Sequence, residues 1–246
     1  MISNAQLRSL AAYKHHRTCE LDNVFVAEGP KLAAEIFSAH IPIHTLCATP
    51  QWMALNENFL PEIPNIFEVT PDKLARISHL RNPNEVWLLV QRDFPVPDLP
   101  TSHLTLALDH IQDPGNLGTI IRTADWFGVR RILCSDDTVS HFNPKVVQST
   151  MGSLFRVSLT YTDLPSALAS AGCPVYGALL SGQDVRQIPA PSEPAILLIG
   201  NESRGISPDL IPLVSHQVLI PNLGNTAESL NAAVATSILL SHWLLR

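Results

Sequence analysis

The sequence predicts an α/β protein in two parts, with a parallel sheet in the second. Three observations carry that reading. Short apolar runs alternate with segments of helical periodicity along most of the chain. The stretch Asp93-Phe94-Pro95-Val96-Pro97-Asp98-Leu99-Pro100 breaks the alternation, and its prolines make a stiff, extended connector. Beyond it the alternation resumes, now with loops rich in Gly and Asn after the strands. Residues 1–92 are therefore expected to form a small α/β domain, 93–102 a linker, and 103–246 a larger α/β domain.

Each element has a local reason. Ser3-Asn4-Ala5-Gln6 has the form of a capping box, and Leu7, Leu10 and Ala11 follow at helical spacing, so a helix is expected over 4–14. Lys14, His15, His16 and Arg17 then read as a basic, solvated helix end or as a contact for an anionic partner. Val24 to Ala27 is a strand, and Pro30 at the first helical position opens a helix over 31–39. Ile43 to Ala48, Ile66 to Val69 and Val86 to Val90 are further strands. Thr49-Pro50 and Thr70-Pro71 are two copies of one helix-start signal. After the linker, Leu104 to Leu108 is a buried-type strand, and Asn116 is placed to cap a helix that Gly128 ends. Strands are expected at Arg131–Cys134, Val157–Thr160, Val175–Leu180, Ala195–Ile199 and Val218–Ile220. Helices are expected from Pro144, from Asp163, briefly from Ser207-Pro208, and from Ser229 to Leu245.

Composition narrows the function classes. The chain has 246 residues, 46% apolar and 15% charged, which suits a globular protein with a sizeable core. No apolar run approaches the ~18–20 residues that span a bilayer, and the polar N-terminal stretch lacks the apolar core of a signal peptide. The four cysteines are widely spaced, which argues against a zinc site or a disulfide scaffold and suits the cytoplasm. The histidines form no ligand pattern, so no metal is expected. A net charge of −6 speaks against non-specific nucleic-acid binding, while leaving room for a local basic patch.

Three loops share one texture: Asp113-Pro114-Gly115-Asn116-Leu117-Gly118, Gly200-Asn201-Glu202-Ser203-Arg204-Gly205, and the stretch from Leu219 to Asn231. Ligands of open parallel sheets bind beyond the carboxyl ends of strands, which is where all three lie. Glycine lets backbone approach a ligand closely, and few cations are present, so the loops suit a neutral or zwitterionic ligand held by backbone groups. The dinucleotide, phosphate-loop and nucleophile-elbow signatures are missing. By capping chemistry alone Asn116 and Ser229 also read as helix caps, and Glu202 as a solvated loop acid. Asn231, within an Ala-rich helix, is hardest to explain by stability.

At these loops the chain resembles the SpoU (TrmH-like) RNA methyltransferases of the SPOUT superfamily. The resemblance runs over 103–246 through Asp113 to Ala124 with Phe127-Gly128, through Ile199 to Gly205, and through Ile220-Pro221 with Ser229-Leu230-Asn231. The N-terminal part is similar to the family's ribosomal-protein-like substrate-binding domain through Arg17, Phe25-Val26-Ala27-Glu28-Gly29 and Lys31. The resemblance implies a deep trefoil knot, a homodimer, and S-adenosylmethionine bound largely by backbone near Gly200, Ile220 and Leu230, with Asn201, Leu219 and Gly224 beside them. It implies methyl transfer to a ribose 2′-hydroxyl, in rRNA ahead of tRNA, with Asn116, Arg122, Glu202, Ser229 and Asn231 as catalytic residues and Lys14, Arg17 and Lys31 on the RNA. A non-catalytic knotted RNA-binding dimer and a base methyltransferase are the alternatives. Arginine stays protonated in proteins, so Arg122 is read as a stabiliser of alkoxide or a grip on phosphate, not as the base. Trp126 and Phe127 are read as core or dimer packing.

Overall fold

The computed structural model describes residues 2–99, 101–224 and 228–245. They fall into two compact units: the chain up to Pro95 together with Phe142–Phe155, and Val96–His141 together with the chain from Arg156 onward.

In the first unit α1 (Asn4–Ala11) starts at the expected capping box: the Gln6 amide donates to Ser3 Oγ at 3.2 Å, and the Ser3 amide to Gln6 Oε1 at 2.9 Å. It ends sooner than its spacing predicts. A single 3₁₀ turn follows at Ala12–Lys14, His15 is extended, and α2 (His16–Leu21) begins. The buried Cys19 closes this corner by donating from Sγ to the Tyr13 carbonyl at 3.3 Å. The basic cluster thus spans a junction between two helices, not a helix end. There follow β1 (Val24–Glu28), α3 (Pro30–Ser38), β2 (Ile43–Ala48), α4 (Pro50–Leu55), β3 (Asn65–Glu68), α5 (Pro71–Ile77) and β4 (Val86–Gln91). Thr49 accepts from the Trp52 amide at 3.3 Å, whereas Thr70 makes no such bond, so Pro71 alone carries the second start signal. The sheet order is β1-β4-β2-β3, with β4 antiparallel to both neighbours and β2 parallel to β3.

Glu28 ends β1 as a buried carboxylate. It accepts from Ser78 Oγ and, at 2.8 Å, from the His79 amide, pinning the segment after α5. Glu28→Ala leaves a buried hydroxyl and an amide without their acceptor. We expect a loss of about 3 kcal/mol, read as a lower urea midpoint; an unchanged midpoint would take Glu28 out of the framework.

The second unit holds β5 (Leu104–Leu108), α6 (Pro114–Trp126) and β6 (Arg131–Cys134). The chain then makes α7 (Pro144–Thr150) within the first unit, where Phe142 stacks on Phe25 at 5.0 Å and Phe94 meets Phe155 edge-on at 5.5 Å. Back in the second unit come β7 (Ser158–Tyr161), α8 (Leu164–Ser170), β8 (Val175–Asp184), β9 (Ala195–Ile199), β10 (His216–Leu219) and α9 (Ala232–Leu244). The six strands are parallel in the order β10-β8-β9-β5-β6-β7. The central strand β9 is buried along its whole length, and β5 nearly so, as expected of a sheet covered on both faces. Gly128 ends α6 at φ 71°.

Three expectations need correction here. No helix starts at Ser207-Pro208: the chain turns there and makes one 3₁₀ turn at Ile211–Leu213. The Ser207 amide is held by the buried Asp109 carboxylate at 2.7 Å, and Pro212 disfavours helix at Ile211. The strand from Val175 runs on to Asp184, because its pairing with β10 jumps from Gly177↔Gln217 to Gln183↔Val218 and residues 178–182 bulge out. A Cβ on Gly182 would lie 2.6 Å from the Gln217 carbonyl carbon, so only glycine lets the strands close again. The last helix begins at Ala232, not Ser229.

The four cysteines are unpaired, and burial pushes the thiols of Cys47 and Cys134 up to about 12. Among the described residues no helix is long and apolar enough to cross a membrane, and no group of His, Cys, Asp and Glu is arranged to hold a metal.

Candidate functional site

The three marked loops meet beyond the carboxyl ends of β5, β9 and β10. The cap of α6 is Asp113, whose Oδ1 accepts from the Asn116 amide at 2.9 Å. Asn116 is therefore not the cap, and its side chain is free to reach outward. The cap of α9 is Asn231, not Ser229: Asn231 Oδ1 accepts from the Ala233 and Val234 amides at 3.0 and 3.2 Å. The other end of the same side chain donates from Nδ2 to Asn116 Oδ1 at 2.8 Å. Asn116 Nδ2 in turn donates to Glu202 Oε1. Ser229 Oγ lies 3.5 Å from the Glu202 carbonyl. Four of the five expected catalytic residues thus form one hydrogen-bonded cluster. Capping and site-building are combined in Asn231, which explains an asparagine ahead of an Ala-rich helix.

The Glu202 loop is braced from within. The amides of Asn201 and Gly205 donate to each other's carbonyls at 3.0 and 2.8 Å. Asn201 Oδ1 accepts from the Ser203 and Arg204 amides at 2.9 and 3.2 Å, and its Nδ2 donates to the His110 carbonyl at 2.9 Å. The Asn201 side chain is thereby engaged in holding the loop. At Gly200 an added Cβ would lie 2.3 Å from the Gly205 carbonyl carbon, so its small size serves the chain's own backbone. Gly200→Ala must push this turn apart. We expect about 2 kcal/mol of destabilisation together with loss of the Glu202–Asn116 bond, measured by chemical unfolding and by activity; full activity would show that the loop tolerates the shift.

One polar group escaped the sequence reading. His110 stands at φ 57°, an unusual conformation outside glycine, and its amide donates to Ser135 Oγ at 2.9 Å. Its Nδ1 pairs with Asp137, and its Nε2 lies 3.3 Å from an Arg204 guanidinium nitrogen. The Ser135 hydroxyl bond, with the His110 contact after it, holds the Asp137 carboxyl below the usual range. The group joins β5, β6 and the Glu202 loop. Its only local sign in the sequence is a histidine directly after the strand-ending Asp109.

Arg122 does not join the cluster. It is exposed on α6, and its guanidinium makes no ion pair or hydrogen bond with a described residue. Its neighbour Asp125 instead pairs with Arg130 and, at 2.9 Å, with Arg156. α9 packs on α6, with Thr123 Oγ1 3.3 Å from Ser237 Oγ. Beside Arg122 the two helices leave Trp126 (85% exposed), Val234 and Ile238 open to solvent, so Trp126 is not a core residue. Phe127 is half-buried.

Of the expected cofactor residues, Leu219 and Ile220 are half-buried at the end of β10, while Gly224 and Leu230 are exposed. Residues 225–227 of that loop lie outside the described residues. Lys14, Arg17 and Lys31 are exposed in the first unit.

Residues 103–241 match the SpoU rRNA Methylase family. The chain belongs to this family. Residues 4–87 match the MRM3-like substrate binding domain. A Bacillus subtilis relative, "23S rRNA (guanosine(2553)-2'-O)-methyltransferase RlmP", is 37% identical over 177 residues, which cover 70% of this chain and 65% of that protein. A putative RNA methyltransferase of the TrmH family from Porphyromonas gingivalis has a similar structure, with TM-score 0.84, 36% identity, and coverage of 100% of this chain and 99% of that one. An AdoMet-bound rRNA methyltransferase from Sinorhizobium meliloti follows with TM-score 0.85, 30% identity, and coverage of 98% and 95%.

Proposed function

We propose that this SpoU-family protein is an S-adenosylmethionine-dependent methyltransferase acting on a ribose 2′-hydroxyl of rRNA. The observation that carries the reading is the chain of bonds Asn231–Asn116–Glu202, which gathers three loops of one parallel sheet around a carboxylate. The names of the B. subtilis and S. meliloti relatives support rRNA as the substrate class and S-adenosylmethionine as the cofactor.

The residues present fit that cofactor. The half-buried Leu219 and Ile220 and the exposed Leu230 offer apolar surface to a nucleoside, beside loop backbone at Gly200. Arg204 is the one cation in the described parts of the three loops, and its guanidinium is turned to His110 Nε2 at 3.3 Å, which suits a ligand that carries a sulfonium and a zwitterion and no phosphate. When bound, the cofactor supplies a methyl group made electrophilic by the sulfonium. The chain's own task is to orient the hydroxyl and take its proton. Asn116 holds Glu202 through Oε1, leaving Oε2 as the acceptor for that proton. Ser229 and Asn231 position the ribose beside it. Arg122, supplied by the second subunit of a homodimer, stabilises the developing alkoxide.

The exposed Trp126, Val234 and Ile238 support a dimer that covers α6 and α9. The return of α9 from the β10 edge to α6 is consistent with the family's trefoil knot. We assign residues 1–92 to RNA docking through Lys14, Arg17 and Lys31, 93–102 to the linker and 103–246 to methyl transfer. The cytoplasm is the expected compartment, since rRNA is the substrate and the cysteines are unpaired.

The test is incubation with methyl-labelled S-adenosylmethionine and rRNA from cells lacking the protein, followed by digestion to nucleosides. Label on a 2′-O-methylnucleoside is expected. Label on a base would overturn the ribose assignment, and cofactor binding without transfer would favour a non-catalytic RNA-binding dimer.

A further inference from the structure

The first unit carries a pocket of about 300 Å³ at the corner between α1 and α2, lined among others by Tyr13, Lys14, His16, His79, Phe142 and Lys145. It draws on both matched segments of the sequence, since Phe142 and Lys145 come from the methylase match and the others from the N-terminal one. Two lysines and two histidines line it, and no carboxylate does. That is notable in a chain of net charge −6. Three acids stand behind the lining and bond to it: Glu20 pairs with His16 at 3.3 Å, Asp22 accepts from the Tyr13 hydroxyl at 2.7 Å, and Glu28 accepts from Ser78 and His79. The two histidines are thereby matched by carboxylates, and the positive charge the pocket offers a ligand is that of its lysines.

The two aromatic walls are held by contacts of their own. The Tyr13 ring is fixed at its hydroxyl by Asp22 and at its backbone by Cys19. Phe142 is fixed by its stack on Phe25 and by the Arg92 guanidinium, whose carbon lies 4.9 Å from the ring centroid. Aromatic rings interleaved with cations are what an unpaired nucleotide recognises, through stacking of the base and contact with its phosphates. The volume sits at the low end of ligand pockets, ~300–1,000 Å³, which suits one nucleotide and excludes a helix or a duplex.

We propose that this pocket seats a single unpaired nucleotide of the substrate RNA, with the base against Tyr13 and the phosphates toward Lys14 and Lys145. The inference rests on the RNA-methyltransferase reading and deepens it. The docking surface is then not confined to the N-terminal domain: the chain carries Phe142–Lys145 of the methylase region into it. Substrates that pair this nucleotide are bound poorly.

The test uses the full chain with Lys14→Glu and Lys145→Glu combined, both at exposed positions whose reversal leaves the core untouched. With rRNA from cells lacking the protein, KM is expected to rise about tenfold with kcat within twofold, and the log–log salt slope to fall by about 1.4, two single-strand phosphate contacts. Independently of catalysis, a fluorescein-labelled heptauridylate is expected to bind the wild type more tightly than the variant, and a 5-bromouridine version to cross-link to the Tyr13 peptide. A variant with unchanged KM and salt slope, beside an active wild type, overturns the pocket and leaves the enzyme reading intact. Oligonucleotide binding and cross-linking that depend on the two lysines, beside a wild type that transfers no methyl group, keep the pocket and overturn the enzyme reading. Equal binding of heptauridylate and of the same length of duplex RNA overturns the single-strand preference.

Discussion

Asn116→Ala is expected to lower kcat for methyl transfer by about 10³-fold while moving the unfolding midpoint little. Among the described residues Asn116 is the only side chain bonded to both Glu202 and Asn231, so its loss releases the Glu202 carboxylate and the Asn231 Nδ2 together. The helix itself survives, because the Asp113 cap is bonded to the backbone amide of residue 116 and not to its side chain. Asn116→Asp is the sharper comparison. It is similar in size, keeps an acceptor for Asn231, and sets a carboxylate against Glu202, so like charges replace a hydrogen bond. We expect it to be at least as inactive as the alanine variant at neutral pH. Single-turnover rates at saturating rRNA and S-adenosylmethionine measure the effect, with cofactor affinity determined separately. A fall of less than tenfold in both variants would reduce the network to a structural clamp.

The strands were legible because most are short apolar runs bounded by turn residues, and Leu104–Leu108 and Ala195–Ile199 fall where their composition puts them. Their direction was not: nothing local tells that Val86–Gln91 runs antiparallel to both neighbours. The candidate site was legible as three loops, but the assignment of caps was not. Asn, Asp and Ser cap helices about equally well. The choice of Asn231 over Ser229 is made by a bond to Asn116, 115 residues away in sequence. Two further features depend wholly on tertiary contact. The bulge at 178–182 exists because Gly182 closes on Gln217. Phe142–Phe155 joins the first unit through the rings of Phe25 and Phe94, which a periodicity reading cannot pair.

Arg122→Ala is expected to reduce methyl transfer by about 10³-fold, an oxyanion-type loss, while cofactor affinity stays within twofold and the proposed dimer is retained. The reason lies in helix geometry. Six residues separate Arg122 from Asn116 on α6, which turns the side chain about 120° away and shifts it about 9 Å along the axis. Arg122 therefore faces away from its own Glu202 cluster, on the side where Trp126 is exposed one turn later. If that face meets a second subunit, the guanidinium completes the partner's site. Mixing distinguishes this arrangement from action within one chain. Arg122→Ala and Asn116→Ala subunits are each inactive, yet a randomly reassorted equal mixture contains half heterodimers, each with one site that has both residues intact. Activity should recover to about a quarter of wild type, as follows from two-fold symmetry with shared sites. No recovery, with heterodimers demonstrated by differential tagging, would place Arg122 in its own subunit's chemistry or outside it. Trp126→Glu supplies the second arm: if this exposed apolar face joins two subunits, a charge in it should yield monomers that keep the Asn116–Glu202–Asn231 network and still fail to transfer the methyl group. An active monomer would show that the site needs no partner.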